Sequence, residues 1–87
     1  MTTMRAKFYV TKVSPYKTAD GTTQGITLGM SAVGKTDGYP ADGVDGDNTY
    51  ARWTPSASLE MYIANPNLFD KLAVGQKFYV EFSECSA

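Results

Sequence analysis

Apolar and polar residues alternate with a period of two in four stretches of this chain, the signature of half-buried strands. In residues 4–13, Ala6, Phe8 and Val10 fall on one face, and Arg5, Lys7, Tyr9 and Thr11 on the other. Ser14-Pro15 is expected to stop this strand, and Thr18-Ala19-Asp20-Gly21 reads as a turn, since Asp-Gly suits hairpin geometry. Residues 22–33 set Ile26, Leu28, Met30 and Ala32 against Thr27, Gly29 and Ser31, with Gly25 and Gly29 marking a bulge or a close approach. Residues 57–64 alternate again: Leu59, Met61 and Ile63 inward, Ser58, Glu60 and Tyr62 outward. A helix competes there, because Leu59, Tyr62 and Ile63 also share a helical face. Residues 76–83 are the clearest strand, with Phe78, Val80 and Phe82 opposite Lys77, Tyr79 and Glu81.

The remaining segments have other signals. Residues 48–54 read as a short strand or strand edge broken by Pro55. Asn65-Pro66 is an N-cap followed by a proline at the first helical position, and Leu68, Phe69 and Leu72 make one apolar stripe before Gly75. A short helix is therefore expected before the last strand. Residues 34–49 have no periodicity and carry Gly34, Gly38, Gly43, Gly46, Pro40 and four aspartates, which predicts a long irregular loop. The expected fold is mainly β, a single domain over residues 1–87. Its small antiparallel sheet of four or five strands is expected to curl into an open barrel of oligonucleotide-binding type. A two-layer sandwich completed by a partner subunit is the second choice.

Composition narrows the function classes. The chain has 87 residues, a formal net charge of −1 and no histidine. Without histidine there is no imidazole base, no Ser–His or Cys–His pair and no histidine metal ligand. No carboxylate pair has a spacing that places two in one pocket, and no phosphate loop or dinucleotide fingerprint is present, so an enzyme is not expected. Asp45-Gly46-Asp47-Asn48 lacks the ligand spacing and closing Glu of a calcium loop, so neither metal nor cofactor is expected. With 8 basic and 9 acidic residues the chain has no surplus cations for a long polyanion. The single cysteine, Cys85, forms no intrachain disulfide and is in keeping with a reducing compartment. No run reads as a signal peptide or a membrane span.

The candidate site is a dense cluster: Tyr50, Arg52, Trp53, Thr54, Ser56 and Ser58. Trp53 can stack on a base, Arg52 can fork onto phosphate, and the hydroxyls can bond phosphate oxygens. The structural alternatives are a tryptophan plugging the core and an arginine paired with a loop aspartate. Tyr9, Tyr62 and Tyr79 fall on outward strand positions, which points to a second small core under the long loop, a subunit interface or a stacking platform, the interface being preferred.

The stretch from Gly46-Asp47-Asn48 through Thr54-Pro55-Ser56, then Asn65-Pro66 and Gly75-Gln76-Lys77-Phe78-Tyr79-Val80-Glu81-Phe82, resembles a widespread set of small tailed-phage proteins. Met4-Arg5-Ala6-Lys7-Phe8-Tyr9-Val10 resembles them too, and the match spans about two-thirds of the chain. The resemblance implies a phage protein acting in the cytoplasm of the infected host, in one of three roles. One is a sponge that sequesters a cyclic oligonucleotide signal of bacterial immunity, of the anti-CBASS kind, without cleaving it. The others are a single-stranded DNA-binding protein and a structural or accessory virion protein. The balanced charge favours the first, since a cyclic nucleotide carries only a few phosphates. The expectation is a homo-oligomer holding a small nucleotide ligand between subunits. Arg52 would take phosphate, Trp53, Tyr50 or Tyr9 would stack, and Thr54, Ser56 and Ser58 would donate hydrogen bonds.

Overall fold

The structure, a computed structural model, describes residues 2–34, 41–43 and 45–86. The part of the expected loop that holds Gly38 and Pro40 lies outside the described residues. Four strands form one antiparallel sheet: β1 (Thr2–Lys17), β2 (Thr23–Ala32), β3 (Ser58–Ile63) and β4 (Lys77–Ser83), in the order β3-β2-β1-β4. All four correspond to stretches of period-two alternation, and residues 57–64 take the strand rather than the helix.

β1 departs from expectation by running straight through Ser14-Pro15. Its pairing with β4 ends at Tyr9↔Lys77 and its last bonds on that side are those of Val10 with Gln76 and Gly75, so beyond Val10 β1 is an edge paired with β2 alone among the described residues. Proline is tolerated on an edge because its missing N–H need not face a partner. A bulge between Val10 and Lys12 also changes which residues face the core. Before it Ala6, Phe8 and Val10 face inward; after it Val13 pairs with Leu28 and Pro15 with Ile26. At the far end Gly21 (φ 86°) closes the hairpin, and Asp20 Oδ1 accepts from Thr22 N at 3.0 Å and from the Thr18 hydroxyl.

The sheet does not close into a barrel. β4 pairs with residues 2–9 of β1, whereas β3 lies along the part of β2 that faces the other end of β1. The two edges are thus two strands apart and staggered along the strand direction, and they cannot meet. The sixteen-residue β1, about 50 Å at strand rise, sets a long, thin molecule of 56 × 34 × 17 Å.

No α-helix precedes β4. Asn65 does act as an N-cap, its side chain accepting from Asn67 N at 3.0 Å with Pro66 following, but the result is one 3-10 turn, Pro66–Leu68. Topology makes a different demand on this segment. Because β3 and β4 are opposite edges, the chain between them must cross two strands, about 14 Å. Phe69 and Leu72 pack on the core during this crossing, while Leu68, the third residue of the expected stripe, stays exposed. Gln76 then ties the turn, accepting from Ala73 N at 2.8 Å and donating to Lys71 O, and Gly75 (φ 96°) turns the chain into β4.

The core consists of Ala6, Phe8, Val10, Ile26, Leu28, Met30 and Ile63, all on one side of the sheet, the inner face. The outer face carries Arg5, Lys7, Tyr9, Lys12, Tyr62, Lys77 and Tyr79. Gly25 and Gly29 mark close approaches there, under Tyr62 and Lys12 respectively.

Candidate functional site

Residues 48–54, expected as a short strand or strand edge, form turns with a single bridge residue, Arg52, and residues 45–49 at the end of the expected loop are partly buried rather than solvated throughout. Asp45 and Asn48 are fully buried. Asp45 Oδ1 accepts from Asp47 N at 2.9 Å and Asn48 N at 3.2 Å, so its carboxylate shapes its own turn. Asn48 uses its whole amide: Nδ2 donates to Val33 O at 2.8 Å and Asp45 Oδ2 at 3.1 Å, and Oδ1 accepts from Lys7 N at 2.8 Å. Thr49 exchanges bonds with Arg5, donating N–H to Arg5 O and accepting from Arg5 N at its hydroxyl, each within 2.8 Å. Residues 45–49 thereby cap β1 where β2 has run out, since the β2 pairing stops at Phe8↔Ala32.

Arg52 and Trp53 are held against 42 and 43. Arg52 Nε donates to the Asp42 carbonyl at 2.6 Å, and Trp53 N donates to Gly43 O at 2.7 Å. Trp53 has φ 64°, and a methyl added to Gly43 would lie 2.6 Å from its indole. The ring lies over the loop glycine and remains 49 % exposed, so it does not plug the core. The bond from Arg52 to Asp42 goes to the main chain of that loop aspartate.

The seven predicted site residues do not converge on one concavity. Tyr50, Ser56 and Ser58 border a cavity of about 270 Å³ on the inner face, walled by Met4, Phe8, Leu59 and Phe82. Arg52, Trp53 and Thr54 are exposed and line neither this cavity nor its neighbours. Tyr9 lies on the outer face, with the sheet between it and Tyr50. Burial, aided by the Asp45 charge, pushes the Tyr50 phenol above its ordinary pKa.

Pairing of β1 with β4 builds a second constellation. Lys7 sits opposite Tyr79 and Tyr9 opposite Lys77, so tyrosine and lysine alternate in both directions on the outer face. Arg5 lies beside them, its Cζ 4.6 Å from the Tyr79 ring centroid, with Lys7 Nζ at 6.0 Å. Tyr79 donates its hydroxyl to Asp47 Oδ1 at 3.0 Å, and Lys7 Nζ lies 3.3 Å from Asp47 Oδ2. Burial is the largest single influence on Asp47 and pushes its pKa up. The Tyr79 and Lys7 bonds and the Lys7 and Arg5 charges outweigh it and hold the carboxyl below its usual value. Next to Arg5 a recess of about 280 Å³ is bordered by Thr3, Met4, Thr49 and Glu81.

Sequence reading found Tyr9 and Tyr79 but missed Arg5, Lys7 and Lys77 as their neighbours. The alternation of Arg5-Lys7-Tyr9 and Lys77-Tyr79 was there to be read; what was lacking was the register that sets the two rows side by side. Among the described residues, no group of three or more His, Cys, Asp or Glu side chains converges as a metal site would require. No helix among them is long and apolar enough to cross a membrane.

Comparison with protein-family models, with curated proteins and with solved structures finds no match for this chain.

Proposed function

We propose that the protein is a non-enzymatic binding module that sequesters a small nucleotide-type ligand. The fitting biological role is that of a phage protein removing a cyclic oligonucleotide signal in the cytoplasm of the infected host. The observation that carries the reading is the tyrosine–lysine checkerboard of Lys7, Tyr9, Lys77 and Tyr79, flanked by Arg5. Aromatic faces accept bases, and cations beside them take the attached phosphates. Charge selects the size of the ligand. Among the described residues of this face, Arg5, Lys7, Lys12 and Lys77 meet Asp47, Glu60 and Glu81, four cations against three carboxylates. An excess of one suits a ligand with two or three phosphates better than a polymer, whose affinity grows with each neutralised phosphate.

The test is a thermal-shift panel of cyclic di- and trinucleotides, since a ligand that binds only the folded chain raises its melting point. The expected result is a rise of several degrees with one cyclic nucleotide, lost in Tyr9→Ala and Lys77→Ala and kept in Arg52→Ala. Loss in Arg52→Ala alone would move the site to the 50–58 loop. No shift with any member would overturn the reading.

One observation favours single-strand binding as a second reading: Tyr62 and Lys12 extend the same face beyond the checkerboard. That reading predicts a shift with oligo(dT) that falls steeply with added salt.

A further inference from the structure

We infer that a second copy of this chain docks on the open part of the inner face, providing the second layer that the single sheet lacks. The crossing segment covers this face only in part. Two cavities of about 270 and 260 Å³ remain open on it, and among the described residues no charged side chain borders either. Around them Met61 is 49 % exposed and Phe82 43 %, with Leu68 and Phe78 exposed as well. Phe78 and Phe82 belong to β4, the edge strand, where both ring positions point to the core side, and no described residue covers them fully. Exposed side chains of this size, contiguous and on the face that carries the core, mark an interaction surface.

The area involved identifies the occupant. The chain exposes 6005 Å². A compact monomer of 9.4 kDa would expose about 5,000 Å². Its radius of gyration is 15.8 Å, against about 12 Å for a compact chain of this length. The excess over the whole chain, about 1,000 Å², is large enough to supply the roughly 800 Å² that each partner loses in a specific, stable interface. A two-fold pair therefore returns each copy to the exposure of a compact globule. Electrostatic cost is small, because no charged side chain among the described residues borders either hollow and each chain carries a net charge of only −1. In an isologous pair the same patch serves both sides, so the projecting Phe82 and Met61 of one copy face the hollows of the other. Tyr9, Tyr62 and Tyr79, the interface expected from sequence, lie on the opposite face, which this pairing leaves open to ligand.

The first experiment is sedimentation of the full chain across a concentration range. Twice the 9.4 kDa chain mass is expected, with a melting point that rises with concentration. Met61→Lys and Phe82→Lys should return the mass to one chain, while Tyr62→Lys on the outer face should leave the dimer intact. A single-chain mass at every concentration up to about 100 μM would overturn the inference. So would a dimer that Tyr62→Lys breaks and the two inner-face variants leave whole. Should those variants fail to fold, peroxide oxidation of Met61 in the unaltered chain decides. Oxidation at least fivefold slower at high than at low concentration supports the dimer; a rate independent of concentration overturns it. Because the ligand face is the other one, loss of dimerisation and loss of nucleotide binding are separately readable.

Discussion

The Asn48 side chain stands in for a β2 residue: its Oδ1 accepts from the Lys7 backbone N–H at 2.8 Å, where β2 has ended and β1 has not. The same amide donates to Val33 O and to Asp45 Oδ2. A buried side chain with three bonds has no good substitute. Asn48→Ala strands the Lys7 N–H and the Val33 carbonyl, and a loss of about 1–3 kcal/mol is expected. Asn48→Asp should cost more, since it sets a second carboxylate beside buried Asp45. Urea unfolding measures both, and a change below about 0.5 kcal/mol in Asn48→Ala would sink this account of the loop.

Acid should weaken the protein through Asp47 and Asp20. The Thr18 hydroxyl, the largest influence on Asp20, and the Thr22 backbone hold that carboxyl low, as Tyr79 and Lys7 do for Asp47 against its burial. A carboxyl lowered in the folded state is protonated more readily in the unfolded chain. Its stabilisation is therefore complete above the unfolded value, about pH 4, and is lost as pH falls through the lower folded value. Melting curves from pH 7 to pH 2 should fall most steeply below about pH 4, and Asp47→Asn should flatten that fall. An equal slope in the variant would remove Asp47 from the explanation.

Two glycines with positive φ separate backbone strain from steric collision. A methyl at Gly75 (φ 96°) meets nothing within 4 Å, so Gly75→Ala bears conformational strain alone, about 1–2 kcal/mol. A methyl at Gly43 (φ 76°) has the same strain and also meets the Trp53 indole at 2.6 Å. Gly43→Ala should thus destabilise more and shift the emission of the single tryptophan, while Gly75→Ala leaves emission unchanged. Thermal melts with tryptophan fluorescence read both effects together.

The Lys12–Glu60 pair, at 3.2 Å across Gly29, should contribute little. Both side chains are at least half exposed, and such pairs are worth about 0–1 kcal/mol. Glu60→Gln is expected to leave the unfolding midpoint nearly unchanged in 0.1 M salt. A loss above about 1 kcal/mol would mean that the pair fastens β3 to the sheet more firmly than its exposure implies.

Features that depend on neighbours along the chain were legible in the order of residues. The inward phase of Ala6-Phe8-Val10, Ile26-Leu28-Met30, Leu59-Met61-Ile63 and Phe78-Val80-Phe82 is a consequence of strand pleat and needs no partner to be read. The Asp-Gly turn and the Asn65-Pro66 cap are equally local, and both occur. Everything else depended on which strands meet and in what register. Pro15 stays in β1 because β4 stops at Lys77↔Tyr9, a pairing between residues far apart in the chain. The expected helix shrinks to one turn because the chain from β3 must cross the sheet to reach β4, and strand order is invisible to periodicity. Tyr9 parts from Tyr50 because they occupy opposite faces, and Lys7 joins Tyr79 because β1 pairs with β4. Asp45 and Asn48, polar residues in a stretch rich in turn formers, become the most buried polar groups among the described residues. Asp45 bonds within its own turn, but the partners of Asn48 lie on β1 and just past the end of β2, and only the folded chain brings those hydrogen bonds within reach.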